Sequence, residues 1–230
     1  MSGHDLLDNP IWNALCTEHA ALAQGGDYAR RYPQEIGPLS GIPDQSTESY
    51  TKLRELAGAF PVVLFSIEPF QIPAGWQRIR GGDLVQMIRL GRMETPWPDP
   101  ENRPQYRRLT ADDAPAMVAL AELTEPGPFR LRTLELGNFY GIFHDDSLVA
   151  MSGKRMHLPG LVEVSGVCTH PEARGRGYAA HLMSVVIDEI EREGKTAFLH
   201  AFADNPAVRL YERLGFTLRQ HFELAVIQPV

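Results

Sequence analysis

Apolar residues along the chain switch several times between helical and alternating spacing, and the switches outline the elements. Behind Asn9-Pro10, a cap and first-turn pair, Trp12, Leu15, Cys16 and Leu22 share one helical face. Ser46 to Ala57 predicts a second helix and Val62 to Ile67 a buried strand. Trp76 to Leu90 predicts a strand region broken at Gly81-Gly82. Residues 92–104, RMETPWPDPENRP, hold four prolines among polar residues and predict a linker, so the chain is expected to divide near Pro104. The expected portions are 1–104, an α/β region, and 105–230.

The second portion has the sharper pattern. YRRL predicts a short strand, and Thr110 with Asp113 caps a helix carrying Ala114, Met117, Val118 and Ala121. Phe139 to Phe143 and Leu148 to Gly153 flank Asp145-Asp146 as a hairpin, with Leu161 to Thr169 the next strand. From Ala179 the residues Leu182, Met183, Val186, Ile187 and Ile190 keep helical spacing up to Gly194. Thr196 to Phe202 predicts a strand. A short helix opened by Asn205-Pro206 and stopped by Gly215 leads to a last strand from Phe216 toward Ile227. Antiparallel hairpins mixed with single helices argue against an opening βαβ unit.

Composition narrows the partners. A chain of 230 residues, 43% hydrophobic, can build a substantial core, and a net charge of -7 argues against broad phosphate neutralisation on nucleic acid. A small-molecule partner is expected, with no nucleic acid and no membrane. Two cysteines give no disulfide framework, the N-terminus lacks signal-peptide character, and a cytoplasmic location is the default. The eight histidines form no metal-binding spacing, so no metal is expected.

HPEARGRGYAAHL, His170 to Leu182, runs from a predicted strand into a predicted helix. Such a turn presents unpaired backbone N–H groups at the positive end of a helix dipole, which favours an anion. Gly175 and Gly177 let a phosphate approach the backbone, and Arg174 and Arg176 add charge, although a solvated turn has the same composition. GRGYAA loosely fits a dinucleotide fingerprint, but upstream hairpins replace the βαβ unit that fold needs. A nucleotide-hydrolysing P-loop would need Lys and Ser or Thr where Tyr178 and Ala179 stand.

Arg174-Gly175-Arg176-Gly177-Tyr178-Ala179 resembles the coenzyme A pyrophosphate signature of the GNAT superfamily of acyl-CoA-dependent N-acyltransferases. NPAVRLYERLGF, Asn205 to Phe216, is similar to that family's later motif. The resemblance spans roughly residues 105–230. It looks closest to the glycine N-acyltransferase branch, from the interval between Glu163 and the HPE turn. It implies an α+β fold of the GNAT type, a mixed, mostly antiparallel sheet flanked by helices, with an additional N-terminal region that a degenerate GNAT-like half, a lid or a dimerisation surface would each explain.

The same resemblance implies acetyl-CoA, or another short acyl-CoA, as co-substrate and a primary amine, small molecule or peptide, as acceptor. The pantetheine arm would run beside the strand bearing Val167, Cys168 and Thr169, with main-chain N–H near Val167 polarising the thioester. Arg174, Gly175, Arg176, Gly177, Tyr178 and Ala179 would cradle the diphosphate, and Asn205 would cap its helix or touch the cofactor. Glu163 is the expected base, directly or through water, best suited if burial raises its pKa toward neutrality, and Tyr211 the expected acid, either helped by a nearby positive charge that lowers its pKa or only hydrogen-bonding the sulfur without complete transfer. Cys168 as acyl-accepting nucleophile, served by His170 or His200, is disfavoured because a regular strand turns it away from Val167 and Thr169. An acyl-CoA sensor without turnover remains an alternative, and a homodimer is open.

Overall fold

In a computed structural model that describes residues 5–91 and 103–230, eleven strands and five α-helices follow the predicted order closely. The first part holds α1 (Pro10–Cys16), three two-residue strands β1 (Gln24–Gly25), β2 (Arg30–Arg31) and β3 (Ser40–Gly41), then α2 (Thr47–Ala57), β4 (Val62–Ser66) and β5 (Trp76–Arg89). The second holds β6 (Arg107–Arg108), α3 (Ala114–Thr124), β7 (Phe139–His144), β8 (Ser147–Leu158), β9 (Leu161–Thr169), α4 (Tyr178–Arg192), β10 (Thr196–Phe202), α5 (Val208–Arg213) and β11 (Phe216–Pro229). The expected linker lies outside the described residues except for Arg103 and Pro104.

Local chemistry explains most boundaries. Ser46 Oγ accepts from the Ser49 amide to open α2, and Asp113 accepts from the Thr110 amide ahead of α3. Asp145 and Asp146 both take positive φ, the geometry of a two-residue hairpin turn. The first helix is shorter than its apolar spacing predicts. Asn9 spends its side-chain amide on the Ile42 carbonyl instead of capping, and the chain leaves α1 at Thr17 before a 3₁₀ turn at Ala20–Leu22.

Strand β5 corrects the predicted break, since it runs unbroken through Gly81-Gly82. Both glycines serve close packing: a Cβ on Gly82 would stand 2.9 Å from the Phe202 ring, and one on Gly81 3.0 Å from the Leu224 carbonyl.

The eight-stranded sheet has the order β4-β11-β5-β10-β9-β8-β7-β6. Every ladder in it is antiparallel except β9 with β10. The portions either side of residue 104 therefore interleave, because β5, from the first, lies between β10 and β11 of the second. One face packs on α4 and α5 through Val162, Val164, Leu199, Val186, Ile187 and Tyr211. The other packs on the N-terminal segment through Leu7, Ile11, Leu15, Leu161, Phe198 and Phe222, with α3 extending that cover at one end; α2 lies on the α4 face, against Val62, Leu64, Ala225 and Ile227, which alternate with Val63 and Leu224 of the other face. Alternation along β10 splits Phe198 from Ala197 and Leu199 as the strand period requires. No helix of the described residues is long and apolar enough to cross a membrane.

Candidate active site

Pairing between β9 and β10 runs from Leu161↔Thr196 to Glu163↔Phe198 and stops there. Past that point β10 continues on its other edge against β5, from Phe198↔Ile88 to Phe202↔Leu84. The β9 edge from Val164 to Thr169 is thus open on the side facing β10. Parallel strands that part leave backbone donors and acceptors available to an extended ligand. A bulge at Gly166, φ 60°, shifts the register against β8 between Ser165 and Cys168. Val167 packs toward α4, and Cys168 turns to the α3 cluster on the opposite face.

Beyond β9 a 3₁₀ turn, Pro171–Ala173, leads into the glycine-arginine turn and then α4. Gly175 and Gly177 both have φ 77°, and a Cβ built on Gly175 meets nothing within 4 Å, so the turn faces open space. Arg176 is exposed, and Arg174, also exposed, reaches back to the Thr169 carbonyl at 3.4 Å. The buried Thr169 hydroxyl has no hydrogen-bond partner among the described residues. An orphaned donor beside an open strand edge and an amide-lined turn suits a phosphate-bearing pantetheine ligand. Tyr178 at the start of α4 has its hydroxyl engaged by His144 Nε2 at 2.8 Å, and Ala179 follows in the same first turn. Asn205 Oδ1 accepts from the Ala207 amide at 2.9 Å, a turn bond just ahead of α5, whose own N-cap, Ala207, has no side-chain cap.

Tyr211 of α5 is buried beside Val167, with its ring edge-on to Phe216 at 6.5 Å. Burial, followed by the nearby Cys168 thiol, pushes the phenol up to about 12. Of the two alternatives for Tyr211, this favours a hydrogen bond without complete transfer, for no cation among the described residues lowers the phenol. Full proton transfer to a thiolate of ordinary pKa near 8.5 would then cost about 5 kcal/mol. Tyr211 is consequently equipped to donate a hydrogen bond to sulfur while keeping its proton. Burial also pushes the Cys168 thiol up to about 11. That and its orientation remove the nucleophile alternative.

Glu163 departs most from expectation. It is fully buried on the face covered by the N-terminal segment, where Arg155 of β8 donates from Nε to Oε2 at 2.6 Å and from Nη2 to Oε1 at 2.7 Å. His200 Nδ1 lies 2.8 Å from Oε1. Burial alone would raise this carboxyl, but the Arg155 charge and the hydrogen bonds from Arg155 and His200 outweigh it and hold it at about 2. The condition that would suit Glu163 best as a base, a carboxyl raised toward neutrality, is not met, because Arg155 and His200 hold it as a carboxylate. Sequence reasoning missed Arg155 and Gln86 here, and His144 at the turn. The adjacent Lys154-Arg155 pair inside the otherwise apolar MSGKRMHL strand was the available signal, since charges buried in a strand require partners.

A model of the FR47-like protein family matches residues 139–225, the stretch from β7 through most of β11. Over its full length the chain is similar to the crystal structure of a candidate acetyltransferase of the GNAT family from Novosphingobium aromaticivorans. The TM-score is 0.88 and the identity 38%, covering 97% of this chain and 98% of that one. The chain belongs to the GNAT family. Its fold is shared with a GCN5-related N-acetyltransferase from Kribbella flavida at TM-score 0.63 and 16% identity, over 94% of this chain and 95% of that one. A mycothiol acetyltransferase from Brachybacterium faecium is 38% identical over 78 residues, 31% of this chain and 24% of the relative. The matched stretch thus spans about a quarter of that protein. As a GNAT protein the chain is by family an acyl-CoA-dependent acetyltransferase, and acetyltransferases of this family use acetyl-CoA.

Proposed function

We propose that this GNAT protein transfers an acetyl or short acyl group from acyl-CoA to a primary amine, by direct attack within a ternary complex. The observation that carries this is the parting of β9 and β10 after Glu163↔Phe198. It leaves an open strand edge that runs straight to the amide-lined turn at Arg174 to Ala179.

In this reading the turn holds the diphosphate, with Arg174 and Arg176 supplying charge and the Thr169 hydroxyl a further donor. The pantetheine arm pairs with the β9 edge through the main chain of Val167, Cys168 and Thr169. A main-chain N–H near Val167 polarises the thioester carbonyl. The neutral amine adds to that carbonyl, the nitrogen passes one proton to a base in the cleft, and the C–S bond breaks. Tyr211 then hydrogen-bonds the departing thiolate, which takes its proton from solvent. Asn205 orients α5, and with it Tyr211. Residues 5–91 belong to the same catalytic unit, because their β5 completes the sheet and the segment around Leu7, Ile11 and Leu15 covers one of its faces.

Calorimetry with acetyl-CoA, paired with thiol-release assays against amino acids, polyamines, aminoglycosides and peptide N-termini, tests this function. Binding together with amine-dependent thiol release is expected. Binding without release for any amine would replace the enzyme with a sensor of acyl-CoA, and absence of binding would overturn both.

A further inference from the structure

At the vertex of the cleft, on the face opposite Tyr211, three polar side chains form a row. Glu163 is the last residue of β9 paired to β10, and His200 lies two residues past its partner Phe198 on the same face of β10. Gln86 pairs with His200 across the β5–β10 ladder. The hydrogen bonds fix the protonation pattern. Gln86 Oε1 accepts from Arg219 Nη1 at 2.8 Å, so its Nε2 is the donor, and that nitrogen lies 2.9 Å from the Leu7 carbonyl and 3.0 Å from His200 Nε2. His200 Nε2 must therefore accept, and Nδ1 must carry the hydrogen donated to Glu163. A neutral imidazole with a carboxylate behind Nδ1 and a lone pair on Nε2 is the arrangement of a general base with its orienting acid.

We propose, resting on the acyl-transfer function above, that His200 and not Glu163 takes the proton from the attacking amine, with Glu163 as its positioning partner. The amine nitrogen forms a bond to the thioester carbon and gives one proton to His200 Nε2. Glu163 stabilises the resulting imidazolium across Nδ1, the C–S bond breaks, and the imidazolium returns its proton to solvent as the thiolate gains one. The Gln86 carboxamide yields its place at Nε2 to the incoming nitrogen.

The surroundings favour this assignment. Rings of Phe65, Phe198 and Phe222 lie 5.0, 5.8 and 5.5 Å from the His200 ring, and this burial favours the neutral imidazole. The charged and titratable groups facing the dyad are Arg155 from β8, Arg219 from β11, which also pairs with Asp8, the neutral Tyr32 phenol near Arg155 and Glu163, and His19, which feels the Glu163 charge. Arg155 fixes Glu163 as a carboxylate, and Arg219 fixes the orientation of Gln86.

The test uses the full chain with acetyl-CoA and the fastest amine of the panel above. His200→Gln should lower kcat at least about 100-fold while leaving acetyl-CoA affinity by calorimetry within about twofold. Gln86→Glu, which sets a carboxylate against Nε2, should move the acid limb of the kcat profile up by about one pH unit or more. Nitrogen-15 NMR of the folded protein should find His200 neutral and protonated on Nδ1 at pH 7, a readout that needs no turnover and stands if His200→Gln fails to fold. A His200→Gln enzyme within threefold of wild-type kcat, an unmoved acid limb in Gln86→Glu, or a hydrogen on Nε2 would each overturn the proposal. If no amine reacts while the NMR pattern holds, the acyl-transfer function fails and the dyad is structural.

Discussion

Replacing Arg155 by methionine tests the charge arrangement under the active site most sharply. Arg155 supplies two of the three hydrogen bonds to a carboxylate with no solvent exposure. Lowering the Glu163 carboxyl from its ordinary 4.5 to about 2 corresponds to about 3 kcal/mol at neutral pH, at 1.36 kcal/mol per unit. Removing one partner of a buried pair costs about 3–5 kcal/mol because it strands the other charge. The two figures agree. Wild type holds this contribution above pH 4.5 and loses it as pH falls toward 2. In Arg155→Met the sign reverses: burial raises the Glu163 carboxyl above its unfolded value, so that contribution is present at low pH and lost as pH rises. Urea denaturation at pH 7 should give a loss of about 3–5 kcal/mol, and at pH 4.5 a smaller one. Arg155→Met/Glu163→Met should recover most of the deficit, since packed apolar residues often replace buried ion pairs at little cost. A loss under about 1 kcal/mol at pH 7, or an equal loss at both pH values, would refute the buried pair.

Three further outcomes follow from the geometry. Tyr211→Phe should lower kcat by about 10- to 150-fold, the worth of one hydrogen bond to a charged sulfur, with acetyl-CoA affinity by calorimetry unchanged; with the phenol at about 12, wild-type kcat should not fall on the alkaline side below about pH 10. His19, buried against Tyr32 and His157, is lowered from 6.5 to about 4 by burial, then by the His157 charge, so the unfolded chain takes the proton first and His19 alone should contribute up to about 3 kcal/mol to the loss of stability as pH drops from 6.5 to 4; urea titrations of His19→Gln should show a shallower slope, the rest coming from His157, His181 and His200, which burial also lowers. Residues 105–230 alone should fail to fold by circular dichroism, because β10 and β11 lose β5 from between them; a cooperative, CoA-binding fragment would contradict this.

The second half of the chain was legible because local rules dominate there. The hairpin at Asp145-Asp146, the glycine-arginine turn and the Asn205 helix each depend on a few adjacent residues, and all appear where the sequence predicted them. What stayed hidden depends on contacts between distant residues. Gly81-Gly82 signals a break by local propensity, yet Phe202, some 120 residues on, needs the space those glycines leave. The interleaving of β5 was invisible for the same reason: strand order is set by long-range pairing that no local pattern encodes. The role expected of Glu163 came from its position alone. Its protonation depends on Arg155 eight residues away and His200 thirty-seven away, and only the folded sheet brings these together.

The crystal structure of the full chain bound to acetyl-CoA tests the central claim most directly. The account predicts the diphosphate on the backbone amides of Gly175 to Ala179, the pantetheine arm along Val167 to Thr169 and the sulfur within hydrogen-bond reach of the Tyr211 hydroxyl. Coenzyme A bound elsewhere, or with its sulfur on the side of the sheet away from Tyr211, would contradict it.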